Sequence, residues 1–141
     1  MKIRELMSTD IITSTPGTPV MEVAKHMKKS DIGSIPVVDN HRLVGMITDR
    51  DIVIRCIALG LDPNTTKAQD CMTKNPVTVT PETDAHDAAN LMASEQIRRL
   101  PVVENGDLVG ICALGDLAVV DIHVNEAGDA LSGISEQSEL H

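Results

Sequence analysis

Residues 35–52 read IPVVDNHRLVGMITDRDI, and residues 100–117 read LPVVENGDLVGICALGDL. Each stretch is a short β-rich run containing a proline, then a turn, then an apolar run through Leu-Val-Gly. Each closes on an acidic residue placed where a helix can begin. Asn105-Gly106 is a strong two-residue hairpin turn, and Asn40-His41 holds its place in the first stretch. The two stretches lie 65 positions apart, and the register runs back without a gap until Lys2 falls on Lys67. Over this span 17 of 51 pairs are identical, among them Met7/Met72, Thr15/Thr80, Pro16/Pro81, Pro36/Pro101, Gly45/Gly110 and Asp51/Asp116. Such a period means one supersecondary unit built twice. Two related copies create a quasi-twofold interface, and clefts along such an interface are natural ligand sites.

Working outward, each copy reads as strand, helix, hairpin, helix, which is an α/β (α+β) chain of two β-α-β-β-α repeats. A short polar turn or helix (Lys2–Met7; Lys67–Met72) leads to a strand, Ile11–Thr15 or Val77–Thr80. Thr18 with Pro19 behind it predicts an N-cap and a proline at the first helical position. Val20, Val23, Ala24 and Met27 follow at helical spacing, matched by Ala85, Ala88, Ala89 and Met92. The second helices are expected over Asp49–Leu59, ending at Gly60, and over Gly115–Ile122. The expected organisation is therefore repeat one over 2–59, a linker over 60–66, and repeat two over 67–122. Beyond these, 123–141 holds a weak amphipathic segment (Ala127, Ala130, Leu131, Ile134) and a loose tail.

Composition narrows the function classes. The chain has 141 residues, 42% of them hydrophobic, and no Phe, Tyr or Trp. It therefore lacks the aromatic platforms on which single-strand nucleic-acid binders stack bases. A net charge of −9 disfavours reading a phosphate backbone. That charge is uneven: residues 100–141 carry eight acids and no Lys or Arg, so an anionic ligand is expected to meet the first two-thirds of the chain. No apolar run approaches the roughly 20 residues of a membrane span, and the start lacks the apolar core of a signal peptide. Three cysteines at irregular spacing (Cys56, Cys71, Cys112) fit a reducing compartment, so a cytoplasmic protein is expected.

Thr48 and Asp51 admit two readings. Thr48 ends a strand where a helix begins, a favourable place for a phosphate, and the acceptor oxygens of Asp51 suit the vicinal diol of a ribose. Thr48-x-x-Asp51 is equally a capping box, which stabilises a helix with no ligand present.

The order Pro-Val-Val-Asp/Glu, Leu-Val-Gly, then Thr48-Asp49-Arg50-Asp51 resembles a tandem pair of cystathionine-β-synthase (CBS) domains, over residues 2–122. Asp31-Ile32-Gly33-Ser34-Ile35-Pro36, Gly45–Ile54 and Leu59-Gly60-Leu61-Asp62-Pro63-Asn64 are similar to small stand-alone bacterial CBS proteins of the hypoxic-response type. The resemblance implies a regulatory pair of repeats packed about a pseudo-twofold axis. It implies an adenosyl ligand (AMP, ADP or ATP, alternatively S-adenosylmethionine or NAD) in the clefts between the halves, and a homodimer. It implies further that Asp51 holds the ribose hydroxyls and that Thr48 contacts ribose or phosphate. Arg98 and Arg99 would reach the phosphates, a task suited to a permanently charged two-donor fork. Ile12, Thr13, Ile35, Pro36 and Val37, or their second-copy counterparts, would line the adenine slot. The second copy keeps Asp116 but has Ala113 where Thr48 stands and Gly115 where Arg50 stands, and Gly33-Ser34 face Arg98-Arg99 in the alignment. One good nucleotide site per chain is expected, with the Asp116 site weakened by about 0.5–1.5 kcal/mol for the lost hydroxyl contact.

His26, His41, His86, His123 and His141 show no metal-binding spacing, and no phosphate loop, nucleophile elbow or Cys–His pair is present. The expectation is thus a non-enzymatic sensor that needs no metal, binds no nucleic acid or membrane, and acts through an unidentified regulated protein. Its rivals are a ligand-free interaction or dimerisation module and a slow nucleotide hydrolase.

Overall fold

The structure, a computed structural model, describes residues 1–118. In chain order the elements are α1 (Val20–Ser30), β1 (Ser34–Asp39), β2 (Arg42–Thr48), α2 (Asp49–Ile52), α3 (Ala68–Cys71), β3 (Thr73–Lys74), α4 (Ala85–Glu95), β4 (Arg99–Glu104), β5 (Asp107–Ala113) and α5 (Leu114–Ala118). A 3-10 turn at Ile3–Glu5 precedes them, and α2 continues into a π-helical turn, Val53–Ile57. The mixed α/β class read from the sequence is what the chain adopts. The far end of the helix expected over Gly115–Ile122 and the Ala127–Ile134 segment lie outside the described residues.

The chain divides into two compact units that trade their leading segments. One comprises Met1–Ile11, Val77–Asn105 and, among the described residues, 109–118; the other comprises Ile12–Pro76 with Gly106–Leu108. In the first unit Ile3 is fully buried in a cluster with Val79, Ala85, Met92, Leu100, Val102, Cys112 and Leu117. In the second, Ala68 and Cys71 are fully buried with Val20, Val23, Ile35, Val37, Ile47 and Cys56. Backbone donors at the start of each leader find acceptors on the Thr-Pro-x-Thr turn of that unit. Ile3 and Arg4 N–H donate to Thr83 and Pro81 carbonyls at 2.9 Å, and Ala68 and Gln69 N–H donate to Thr18 and Pro16 carbonyls at 2.8 and 3.0 Å. Each short helix thereby satisfies N–H groups that no helical partner can take.

The same exchange explains a glycine in each copy. β3 pairs antiparallel with β2 at Gly45↔Lys74 and Met46↔Thr73, and Ser8 bridges Ile111 in the other unit. A Cβ on Gly45 would lie 2.5 Å from Met72 Sδ, and one on Gly110 would lie 2.6 Å from Met7 Sδ. The Leu-Val-Gly signature is where a leader crosses its sheet.

Two local expectations are corrected. The first strands are not strands: Ser14 bridges Val37 and Val79 bridges Val102, each as a single parallel pair. The cause is proline on both sides. Ser14 N–H donates to the Pro36 carbonyl and Val38 N–H to the Ser14 carbonyl. The next rungs of a parallel ladder would need N–H groups from Pro16 and Pro36, which have none, and the same holds for Pro81 and Pro101. The helix start also differs. Pro19 is itself the N-cap of α1, and the Thr18 hydroxyl accepts the Thr15 N–H at 3.3 Å within the turn. Asp84 caps α4, its carboxylate accepting the His86 N–H at 2.8 Å.

The hairpins form as read. β1 and β2 pair antiparallel with a bulge at Val37/Val38, and β4 pairs with β5. Asn40 and His41 have φ of 52° and 71°, and Asn105 and Gly106 have 53° and 86°, so both turns need the left-handed region twice, as a type I′ turn does.

Candidate functional site

Thr48 closes β2 in an extended conformation and serves as the N-cap of α2. Its Oγ1 accepts the Asp51 N–H at 3.0 Å, and its own N–H donates to Asp51 Oδ2 at 2.9 Å. The capping box is therefore formed. It does not consume the site's chemistry. Thr48 Oγ1 spends an acceptor position and keeps its hydroxyl proton for a ligand oxygen, and each Asp51 oxygen has a second lone pair. The Asp51 side chain is 15% exposed, and its Oδ1 lies 3.9 Å from Arg55 Nε, four residues on. Just after the cap, the Asp49 N–H donates to the Gly33 carbonyl at 2.9 Å, which fixes the start of the helix beside β1.

The other unit builds half of this arrangement. The Ala113 N–H donates to Asp116 Oδ2 at 2.8 Å, but no hydroxyl returns the contact. Arg98 is exposed and Arg99 half-buried; the Arg98 carbonyl accepts the Leu114 N–H at 2.8 Å. Among the described residues neither guanidinium has a hydrogen-bond or ion-pair partner. Of the apolar residues assigned to an adenine slot, Ile35, Pro36 and Val37 are buried, Ile12 is half-buried and Thr13 is exposed. Ile35 and Val37 belong to the apolar cluster of their unit, so their side chains are core.

Two polar residues escaped the sequence reading. Ser14, where the other copy has Val79, is buried, and its Oγ has no hydrogen-bond partner among the described residues. Arg55 donates from Nη1 to the Cys71 and Met72 carbonyls at 3.3 and 3.2 Å. Both were within reach of the sequence. The first is a difference between copies at a core position, and the second is an i,i+4 partner of Asp51 on a helix.

The cysteines are free and buried. Burial pushes the Cys112 thiol up to about 12, with Asp116 adding to the shift. Burial likewise raises Cys71, to which Cys56 contributes. Both are poor thiolates at neutral pH. No helix among the described residues is long and apolar enough to cross a membrane, and no group of three His, Cys, Asp or Glu side chains there is placed to hold a metal ion.

The profile of the CBS domain matches residues 3–57 and again 68–123. The chain belongs to the CBS-domain family. The CBS domain-containing protein YhcV of Bacillus subtilis is 43% identical over 96% of both chains. The crystal structure of Hypoxic Response Protein I with two coordinated zinc ions superposes with a TM-score of 0.78 at 35% identity, covering 84% of this chain and 98% of that one. CBSX2 in complex with AMP gives 0.73 at 27% identity, over 82% of this chain and 92% of that one. The CBS pair is thus a module with an AMP-bound relative, and Thr48, Asp51 and Asp116 sit on its repeated motif.

Proposed function

We propose that this CBS pair is a regulatory module that binds an adenine nucleotide (AMP, ADP or ATP, with S-adenosylmethionine and NAD as the alternatives) and passes the signal to a protein partner. The single observation behind the reading is the contrast between the copies. Thr48 and Asp51 form a reciprocal pair with a hydroxyl proton and lone pairs to spare. Ala113 and Asp116 form half of it. Asp51 is assigned to the ribose hydroxyls, Thr48 to ribose or phosphate, and Asp116 to a weaker second site. Arg98 and Arg99 are assigned to phosphate on the family resemblance, supported by the lack of any partner for them among the described residues. Ile12, Thr13, Ile35, Pro36 and Val37 remain the proposed adenine side, with the backbone of the buried three in contact rather than their side chains.

A second reading has its own observation. Val53, Ile54, Ile57, Leu59 and Leu61 are large apolar side chains 45–67% exposed along one nine-residue stretch. Such a patch marks a contact surface, and a homodimer or interaction module would use it.

Equilibrium dialysis decides between them. A chain without Trp or Tyr leaves the nucleotide's absorbance near 260 nm readable. Saturable retention near one ligand per chain is expected. Asp51→Ala should weaken it about tenfold to a hundredfold, the value of a lost charge-assisted hydrogen bond. Unchanged affinity in that variant would remove Asp51 from the site. Retention of none of the five ligands would leave the interaction surface as the function.

A further inference from the structure

Arg55 makes polar contacts with two groups that share the apolar cluster of Ile52, Cys56, Cys71 and Met72. On one side is the Asp51 carboxylate, 3.9 Å from its Nε. On the other are the Cys71 and Met72 carbonyls, 3.3 and 3.2 Å from its Nη1, at the C-terminal end of α3. Those carbonyls are left over where the short helix ends, and a cation is the favoured partner there. Met72 in turn lies against Gly45, and the next two residues, Thr73 and Lys74, pair with β2. Arg55 therefore joins Asp51 to the leader of the second repeat, all within one compact unit.

We propose that Arg55 is a positioning residue that couples occupancy of Asp51 to the Ala68–Lys74 leader. The proposal rests on the nucleotide reading of Asp51 for its ligand, but the mechanical link stands on the contacts alone. The guanidinium is a rigid plane whose donors cannot be redirected singly. A ligand hydroxyl that draws Asp51 Oδ1 toward itself changes the position or charge that Nε faces, and the whole plane shifts. Nη1 then moves relative to the two carbonyls, and the hold on the end of α3 tightens or slackens. No arginine stands in the corresponding place of the other copy: the residue four beyond Asp116 is Val120. The coupling belongs to the Asp51 site.

Hydrogen exchange of the full chain, read by mass spectrometry over residues 67–74, tests this in two arms. Without ligand, Arg55→Gln and Asp51→Asn should each raise exchange there several-fold, and the double variant should exceed neither by much. If Asp51→Asn leaves the segment at the wild-type rate, Arg55 merely props α3 and the coupling is overturned. With saturating AMP, the wild type should change its exchange over 67–74. Arg55→Gln and Arg55→Lys, shown by dialysis to be loaded, should not, since an ammonium cannot span a carboxylate and two carbonyls in a fixed plane. An equal response in these variants also overturns the proposal. If the wild type retains no nucleotide, the nucleotide reading fails separately, and the ligand-free arm still decides the coupling.

Discussion

Ser14 is where the two copies differ most sharply in the core. Its backbone does what Val79 does in the other unit, bridging the Pro-Val-Val strand by one residue. Its side chain, however, puts a buried hydroxyl with no partner among the described residues where the other copy has an isopropyl group. An unsatisfied buried hydroxyl costs about 1–3 kcal/mol. Ser14→Ala removes it without adding volume, and chemical denaturation should show a gain of about 1 kcal/mol. A loss on that substitution would show that the hydroxyl has a partner, and a bound ligand would be the first candidate. At this scale the Thr48–Asp51 contact was legible. The spacing of Thr48 and Asp51 announced a capping box and a ligand pair as alternatives, and the contacts make both available at once. The place of Arg55 one helical turn after Asp51 makes their contact foreseeable, whereas its bonds to the Cys71 and Met72 carbonyls join positions 16 and 17 residues apart, which spacing does not show.

Among the elements, the hairpins and central helices were legible because their signals are local: Asn-Gly at a turn, and apolar residues at helical spacing. The first strands were misread because Ile11–Thr15 and Val77–Thr80 have the right composition, while their pairing is decided by prolines on both partners. Thr18 was misread as a helix cap because a hydroxyl two residues ahead of a helix can as well close the preceding turn, as it does with Thr15. The leader crossing was invisible to periodicity. Its trace is the pairing of an identical glycine with an identical methionine in both copies, Gly45 against Met72 and Gly110 against Met7. Gly45→Ala should destabilise by about 1–3 kcal/mol, the usual effect of overpacking. Met72→Ala should restore only part of this, because the backbone oxygen of Thr73 lies 2.9 Å from the new Cβ and cannot swing away. Thermal unfolding of the single and double variants measures both; full rescue would mean that the strand, not the side chain, had moved.

Across the whole molecule the exchange of leaders makes each unit depend on the leader of the other repeat, and the two leaders are not held alike. In the unit that contains Met1–Ile11, Lys2 Nζ donates to Glu82 at 2.6 Å, and Arg4 bonds the other carboxylate oxygen. In the unit that contains Ile12–Pro76, the place of Glu82 is taken by Gly17 and that of Arg4 by Gln69, so this acidic clamp does not exist there. Hydrogen bonds from Lys2 and then Arg4 hold the Glu82 carboxyl down at about 2, from an ordinary 4.5. A carboxylate whose value is lowered by folding stabilises the folded chain fully above its unfolded value, and that contribution is lost as the pH falls through the folded one. The clamp should therefore act at pH 6, fade from about 4.5 downward and be gone near 2. Being exposed, it should also weaken in salt. Glu82→Gln is expected to lower the Tm at pH 6, with the gap to wild type closing as both are taken to pH 2. A gap that stayed constant across that pH range would show that Glu82 is not ionised against Lys2 and Arg4, and the leader of the first repeat would then be held by the burial of Ile3 and by its backbone hydrogen bonds.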